Sequence, residues 1–172
     1  MNIPDVTGCS NLAEATRVIF LAQNGVHEIG NSNSGPEVDQ YLAAVHLDPG
    51  NAWCCATAAW CIKQAAKQLN ITPQIKLHAS VYAFWHDPDN QSLIIPSFEP
   101  DCLVLRNEGV SKSGSHIGHL MLGIQDNGDN TFNCVSGNTT ASDPNARTGG
   151  CVAIQNRPFS QLINGFGFMR IV

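Results

Sequence analysis

The residue best placed to do chemistry in this chain is Cys54. It follows the breaker run Asp48-Pro49-Gly50-Asn51 and opens an Ala-rich apolar stretch, Trp53 to Leu69, that reads as a buried helix. A thiol in the first turn of such a helix meets unpaired backbone N–H groups and the positive end of the helix dipole. Both favour the nucleophilic thiolate. Cys55 is the rival, but it is rotated by about 100° onto a stripe with Ala59, Ile62 and Ala66 that reads as plain core. A thiolate needs a base from another element, and six histidines are present. His116 and His119 stand three apart in a run, His116–Ile124, that reads as a strand, so they point to opposite faces. His116 shares its face with Leu120, Leu122 and Ile124, the face expected to meet the helices. His119 goes with Met121 and is expected to point away from the thiol, as a surface or internally satisfied histidine. The same parity argues against a metal-binding pair of histidines, so no metal site is expected. His27, His46, His78 and His86 read as solvated or capping residues. An imidazole base also needs an acceptor for its second nitrogen. Ser136 and Asn138, which share one face with Phe132 and Cys134 by alternation, come within reach if a hairpin turns at Asn127-Gly128. A plain turn at Gly137-Asn138 is the alternative.

The elements that must hold these residues follow from periodicity and breakers. Leu12, Ala15, Ile19 and Ala22 form one helical stripe, with Asn11 and Glu14 spaced as a capping box and Gly25 as the stop. Gly30–Gly35 is a polar loop. Pro36 then suits the first helical position ahead of Val38, Tyr41, Leu42 and Val45. After the buried helix, His78–Trp85 reads as a further short helix. Beyond Pro96 the pattern turns to strands: Cys102–Leu105, His116–Ile124, Thr131–Ser136, Cys151–Gln155 and Phe166–Val172. Helices first and then an antiparallel meander predict an α+β fold, with the helices packed on one face of the sheet.

Length and composition set the frame. The 172 residues suit one domain spanning 1–172, and 43% hydrophobic residues supply a core. Charged residues make up only 13%, and the net charge is −5 with no basic run, which argues against a nucleic-acid partner. No apolar stretch approaches the roughly 18 residues of a membrane span. The opening MNIPDVTGCSNLAEATRVIF lacks a cationic start and carries Glu14 and Arg17 in its apolar pattern. The expectation is therefore synthesis in the cytoplasm without a secretory signal. Seven cysteines, an odd number, read mainly as small buried hydrophobes, although Cys134 and Cys151 on neighbouring strands could pair in an oxidising compartment.

Four blocks in order carry a family resemblance. Glu28-Ile29-Gly30, Gly35-Pro36-Glu37-Val38 and Tyr41-Leu42 lead into Gly50-Asn51-Ala52-Trp53-Cys54-Cys55-Ala56. Pro100-Asp101-Cys102-Leu103-Val104-Leu105, Ser115-His116-Ile117-Gly118-His119 and Ser136-Gly137-Asn138-Thr139 follow. The set resembles the CHAP-type peptidoglycan hydrolases, papain-like cysteine amidases related to the NlpC endopeptidases. The Trp-Cys pair matches their nucleophile signature, the third block their Gly-His-Val-Gly base strand and the last their Glu-Gly-Asn-Thr element. The resemblance implies a papain-like fold with Cys54 as nucleophile, His116 as general base and Asn138 as its orienting residue, with Trp53 and Ser136 in support. Ser136 replaces a glutamate, Ser115 and Pro100 replace glycines, and Cys55 replaces an alanine. The implied activity is cleavage of an amide in bacterial peptidoglycan, either the muramoyl–alanine amide or a stem-peptide or cross-link bond, without a cofactor. The expected setting is a monomer reaching the periplasm or wall of a target cell by phage lysis or by a type VI-like secretion system. An injected effector would have a cognate immunity protein. A protease or deamidase toxin acting on a protein, and a catalytically idle binding or tail module of the same fold, are the competing functions.

Overall fold

The computed structural model describes residues 1–140, 149–162 and 166–172. Helix α1 spans Leu12–Leu21. Asn11 caps it by accepting from the Glu14 N–H, while the Glu14 carboxylate reaches back to the Ser10 N–H at 2.7 Å, one residue before the cap. Helix α2 is Val38–Ala43 and α3 is Cys54–Leu69. Asn70 ends α3 in the left-handed conformation (φ 53°), which asparagine tolerates better than most residues. A short α4, Val81–His86, is capped by the Ser80 hydroxyl.

Six strands follow: β1 Ile94–Ile95, β2 Leu103–Val110, β3 His116–Asp126, β4 Thr131–Thr139, β5 Cys151–Pro158 and β6 Phe168–Met169. They form one antiparallel sheet in the order β1-β6-β2-β3-β4-β5. The expected α+β class is what the chain adopts, with helices preceding an antiparallel sheet. Two short elements differ from the periodicity reading: β1 carries too short an apolar run to register as a strand, and the C-terminal strand is only two residues long.

Both sheet faces are covered. Leu103, Leu105, Leu120, Leu122 and Val135 pack in one core with the buried sides of α1, α2 and α3. Their alternating neighbours Val104, Met121, Phe132 and Cys134 form a second core on the other face, closed by Phe98, Phe159, Leu162 and Phe168. Arg157 is wholly buried and donates to the Gln155 Oε1 at 2.7 Å, a polar interior residue that the apolar pattern did not announce. All seven cysteines are free thiols. Cys134 lies 3.7 Å from the Met121 sulfur, and Cys151 donates to the Thr139 carbonyl, so each has its own neighbour.

The feature that builds the site is a split between β3 and β4. Their ladder pairs Leu122–Asp126 with 132–135. Beyond it, residues 116–121 of β3 and 136–139 of β4 are not paired with one another, and the first turn of α3 packs at this opening. A bulge between Ser136 and Thr139 re-aims the end of β4. Within it Asn138 takes φ 54°, and Gly137 faces α3 so closely that a Cβ would collide with the Thr57 hydroxyl and with Trp53 Cζ3 at 2.9 Å.

Candidate active site

Trp53 and Cys54 reach the split as a consequence of α3's burial. The Trp53 ring is fully buried, stacks on Tyr41 and donates from its indole N–H to the Glu28 carboxylate at 3.1 Å. With the Asn138 amide oriented to satisfy its surroundings, its oxygen accepts from the Trp53 backbone N–H at 3.3 Å and its nitrogen donates to the Gly149 carbonyl at 2.8 Å. Asn138 thus ties the end of β4 to the start of α3. The Thr57 hydroxyl donates to the Trp53 carbonyl at 2.8 Å and completes the clamp.

Cys54 lies next in the chain, 7% exposed, and its sulfur meets β3 at Leu120 and His119. The backbone geometry accounts for this. Leu105 stands opposite Leu120, and its N–H is spent on the Gly167 carbonyl, away from β3. In an antiparallel pair the two N–H groups of such a position both point outward. The Leu120 N–H therefore projects to the open side of β3, towards Cys54, whose thiolate it favours.

The thiol is held well below the ordinary thiol range. The largest cause is a hydrogen bond from the Cys55 thiol. Burial opposes it, and the His119 imidazole, by hydrogen bond and charge, and the Leu120 N–H reinforce it. Cys55 moves well upward for the same reason, since it keeps the shared proton and is buried. The other thiols behave as core residues: burial pushes Cys61 well up, Cys102 up to about 12 and Cys134 up to about 11. Cys54 is set apart by its neighbours rather than by its burial.

Both candidate histidines lie near Cys54, one on each side of β3. His119, expected to point away, is 1% exposed and is the imidazole that acts on the Cys54 thiol. His116, expected to point towards the buried helix, lies on that side but at the exposed end of β3. It lines the mouth of the cleft that holds Cys54 and stacks on Tyr82 at a centroid distance of 3.7 Å. Parity is kept by His116, Gly118 and Leu120, which lie on the helix side of β3, but it does not keep His119 from Cys54. It separates the two faces of a paired sheet, whereas the helix start meets β3 at its open edge, within reach of a side chain from either face. Asn138 and Trp53 are brought to the site, with the Asn138 amide engaged by Trp53 and Gly149. Ser136 is fully buried on β4, and neither its Oγ nor the His119 Nε2 holds a hydrogen bond among the described residues. Cys55, read as core, is buried there at 1% exposure and also favours the neighbouring Cys54 thiolate.

The arrangement can deliver a thiolate, an adjacent imidazole and the free N–H groups of a helix start to one point, the minimum for nucleophilic attack on a carbonyl. Among the described residues no group of three His, Cys, Asp or Glu side chains is placed to hold a metal ion. No helix of the described residues is long and apolar enough to cross a membrane. The fold and site define an α+β domain with a cysteine–histidine centre at a helix start. Compared with known proteins, the chain matches no family model, no curated protein and no solved structure.

The Cys55 contact makes a prediction. In Cys55→Ala the midpoint of the pH–rate profile for alkylation of Cys54 by iodoacetamide is expected to rise, because the anion loses its strongest donor. Cys55→Ser, which keeps a donor, is expected to restore part of the shift. Mass spectrometry of the Cys54 peptide reads both, and an unmoved midpoint in Cys55→Ala would show that the thiol contact does nothing for the anion.

Proposed function

We propose that the chain is a cysteine amidohydrolase of the papain-like type, cleaving an amide bond in bacterial peptidoglycan. The observation that carries the reading is the buried Cys54 thiol at the start of α3, held toward the anion with the His119 imidazole against it. The ordered blocks around Trp53-Cys54, Ser115-His116-Ile117-Gly118-His119 and Ser136-Gly137-Asn138-Thr139 supply the substrate class through their resemblance to the wall hydrolases.

In the proposed reaction His119 holds the Cys54 proton as an imidazolium, and the thiolate attacks the amide carbonyl. The resulting oxyanion lies against the backbone N–H groups of the first turn of α3, whose dipole favours negative charge. His119 gives its proton to the leaving amine as the C–N bond breaks, leaving a thioester on Cys54. His119 then takes a proton from water as it attacks, and the acyl group departs as a carboxylic acid with the thiol regenerated. Asn138 acts by holding Trp53, and so the nucleophile's backbone, against β4. Delivery by lysis or by an injecting secretion system, with an immunity protein seated over the cleft, goes with this reading.

Purified sacculi incubated with the protein provide the test. Soluble fragments weighed by mass spectrometry are expected from the wild type and absent from Cys54→Ala, and their masses name the bond cut. Equal fragment release from Cys54→Ala would sink the cysteine mechanism. Labelled Cys54 without fragments from any sacculus would move the substrate to a protein amide.

A further inference from the structure

A hollow of about 500 Å³ opens between the loop that follows Glu28 and the end of β4, with two glycines ahead of β5 at its rim. Glu28, Asn31, Asn33, Asn138 and Thr140 line it. Its described lining holds one carboxylate and three amides, with no lysine, no arginine and no aliphatic or aromatic residue larger than glycine.

Glu28 is fixed in place. Its backbone N–H donates to the Gly150 carbonyl at 2.7 Å, and its Oε2 accepts from the Trp53 indole N–H at 3.1 Å. Gly150 leaves room beside the other oxygen: a Cβ there would lie 3.1 Å from the Glu28 Cγ and 3.5 Å from Oε1. Among the described residues no cation pairs with this carboxylate. The asparagines are a second feature. Asn31, Asn33 and Asn138 take left-handed conformations, at φ 55°, 51° and 54°, and are three of the seven described non-glycine residues with positive φ. Such conformations gather at functional sites, where the surroundings hold them against their cost. The Asn138 amide is spent on Trp53 and Gly149. The side chains of Asn31 and Asn33 make no hydrogen bond among the described residues, so their amide oxygens are open to a ligand.

A fixed carboxylate with amide oxygens beside it selects a positive group that carries several N–H donors. An anion would meet the Glu28 charge with no basic residue to offset it. An apolar side chain would find no apolar wall. Calcium sites draw their affinity from several charged oxygens, and this hollow has one carboxylate. A guanidinium pairs best with both oxygens of a carboxylate, and Oε2 is already taken by the indole. An ammonium needs only one.

We propose that this hollow binds a primary ammonium group, with Glu28 as its counter-charge and the Asn31 and Asn33 amide oxygens as further acceptors. The site stands on the hollow itself. That the ammonium is borne by the substrate, held beside Trp53 while Cys54 attacks, rests on the proposed amidase reading.

Titration of the isotope-labelled protein with Nα-acetyl-lysine amide, followed by NMR, tests the site. Saturable shifts are expected at the backbone amides of residues 28–33, Gly149 and Gly150. The same probe acetylated at Nε is expected to bind at least tenfold more weakly, and Nα-acetyl-arginine amide at least threefold more weakly. Glu28→Gln keeps an oxygen for the indole and is expected to weaken lysine-amide binding at least tenfold. Glycine adopts the left-handed conformation freely, so Asn31→Gly with Asn33→Gly keeps the turns and is expected to weaken binding at least threefold. No saturable shift at these residues, equal binding of the Nε-acetylated probe, tighter binding of the arginine probe, or an unchanged affinity in Glu28→Gln would each overturn the ammonium site. So would calcium chloride moving the same amides at lower concentration than the lysine probe. Sacculi with acetylated amino groups are expected to release fragments at least tenfold more slowly than untreated ones, and equal release would show that the ammonium is not the substrate's. Absence of fragments from every sacculus, with lysine-amide binding intact, would instead bring down the amidase reading and leave the site standing.

Discussion

His119→Ala is expected to reduce fragment release from sacculi by about 10²–10⁴-fold, the range for loss of a general acid–base, while His116→Ala stays within about tenfold of the wild type, an effect on the size of substrate recognition. The difference follows from position: His119 is buried against the Cys54 thiol, and His116 sits exposed at the cleft mouth on Tyr82. The pH dependence separates a base from a merely structural histidine. The Cys54 pKa is depressed in the folded protein, so the thiolate persists as pH falls below the ordinary thiol range and is lost only beneath its own lowered pKa. Removing the imidazole takes away part of that depression. The alkylation profile of His119→Ala is therefore expected to move to higher pH, with its thiol less reactive at neutral pH. His116→Ala is expected to keep the wild-type midpoint. Loss of activity in His116→Ala with His119→Ala intact would return the role of base to His116.

Gly137→Ala is expected to be the most damaging conservative change outside the reacting groups. The added Cβ has no free volume: it runs into the Thr57 hydroxyl and lies 2.9 Å from Trp53 Cζ3. Both belong to the first turn of α3 and its cap, which are fully buried. Overpacking of this kind costs about 1–3 kcal/mol, and for a domain of this size a melting temperature lower by roughly 2–4 °C per kcal/mol. Because the displaced atoms lie beside Cys54, activity is expected to fall further than stability. Assayed well below its melting temperature, the variant should still show reduced fragment release and slower alkylation. A wild-type melting temperature in Gly137→Ala would mean that β4 and α3 do not meet as closely as described.

Much of the scaffold was legible in local pattern. The Asn11 cap with Glu14 three residues on, the breakers before Trp53 and the apolar circumference of 54–69 are local signals, and α1 and α3 begin where those signals place them. Alternation in β3 and β4 likewise separates Leu120 and Leu122 from Met121, as the two cores confirm. The short strands β1 and β6 were poorly legible because a two-residue strand has no period to detect.

Residue types and short-range order alone selected Cys54 over the other six cysteines, since a helix start is a local property and its dipole acts on whichever thiol stands there. Which histidine meets that thiol was decided only in three dimensions. Alternation tells two faces apart, but the opening between β3 and β4, the bulge at 136–139 and the insertion of α3 are set by contacts between residues far apart in the chain. Alternation still places His116 on the helix side of β3, but at this open edge it does not keep His119 from the thiol as well. The imidazole found there is the one whose strand position brings it level with the first turn of α3.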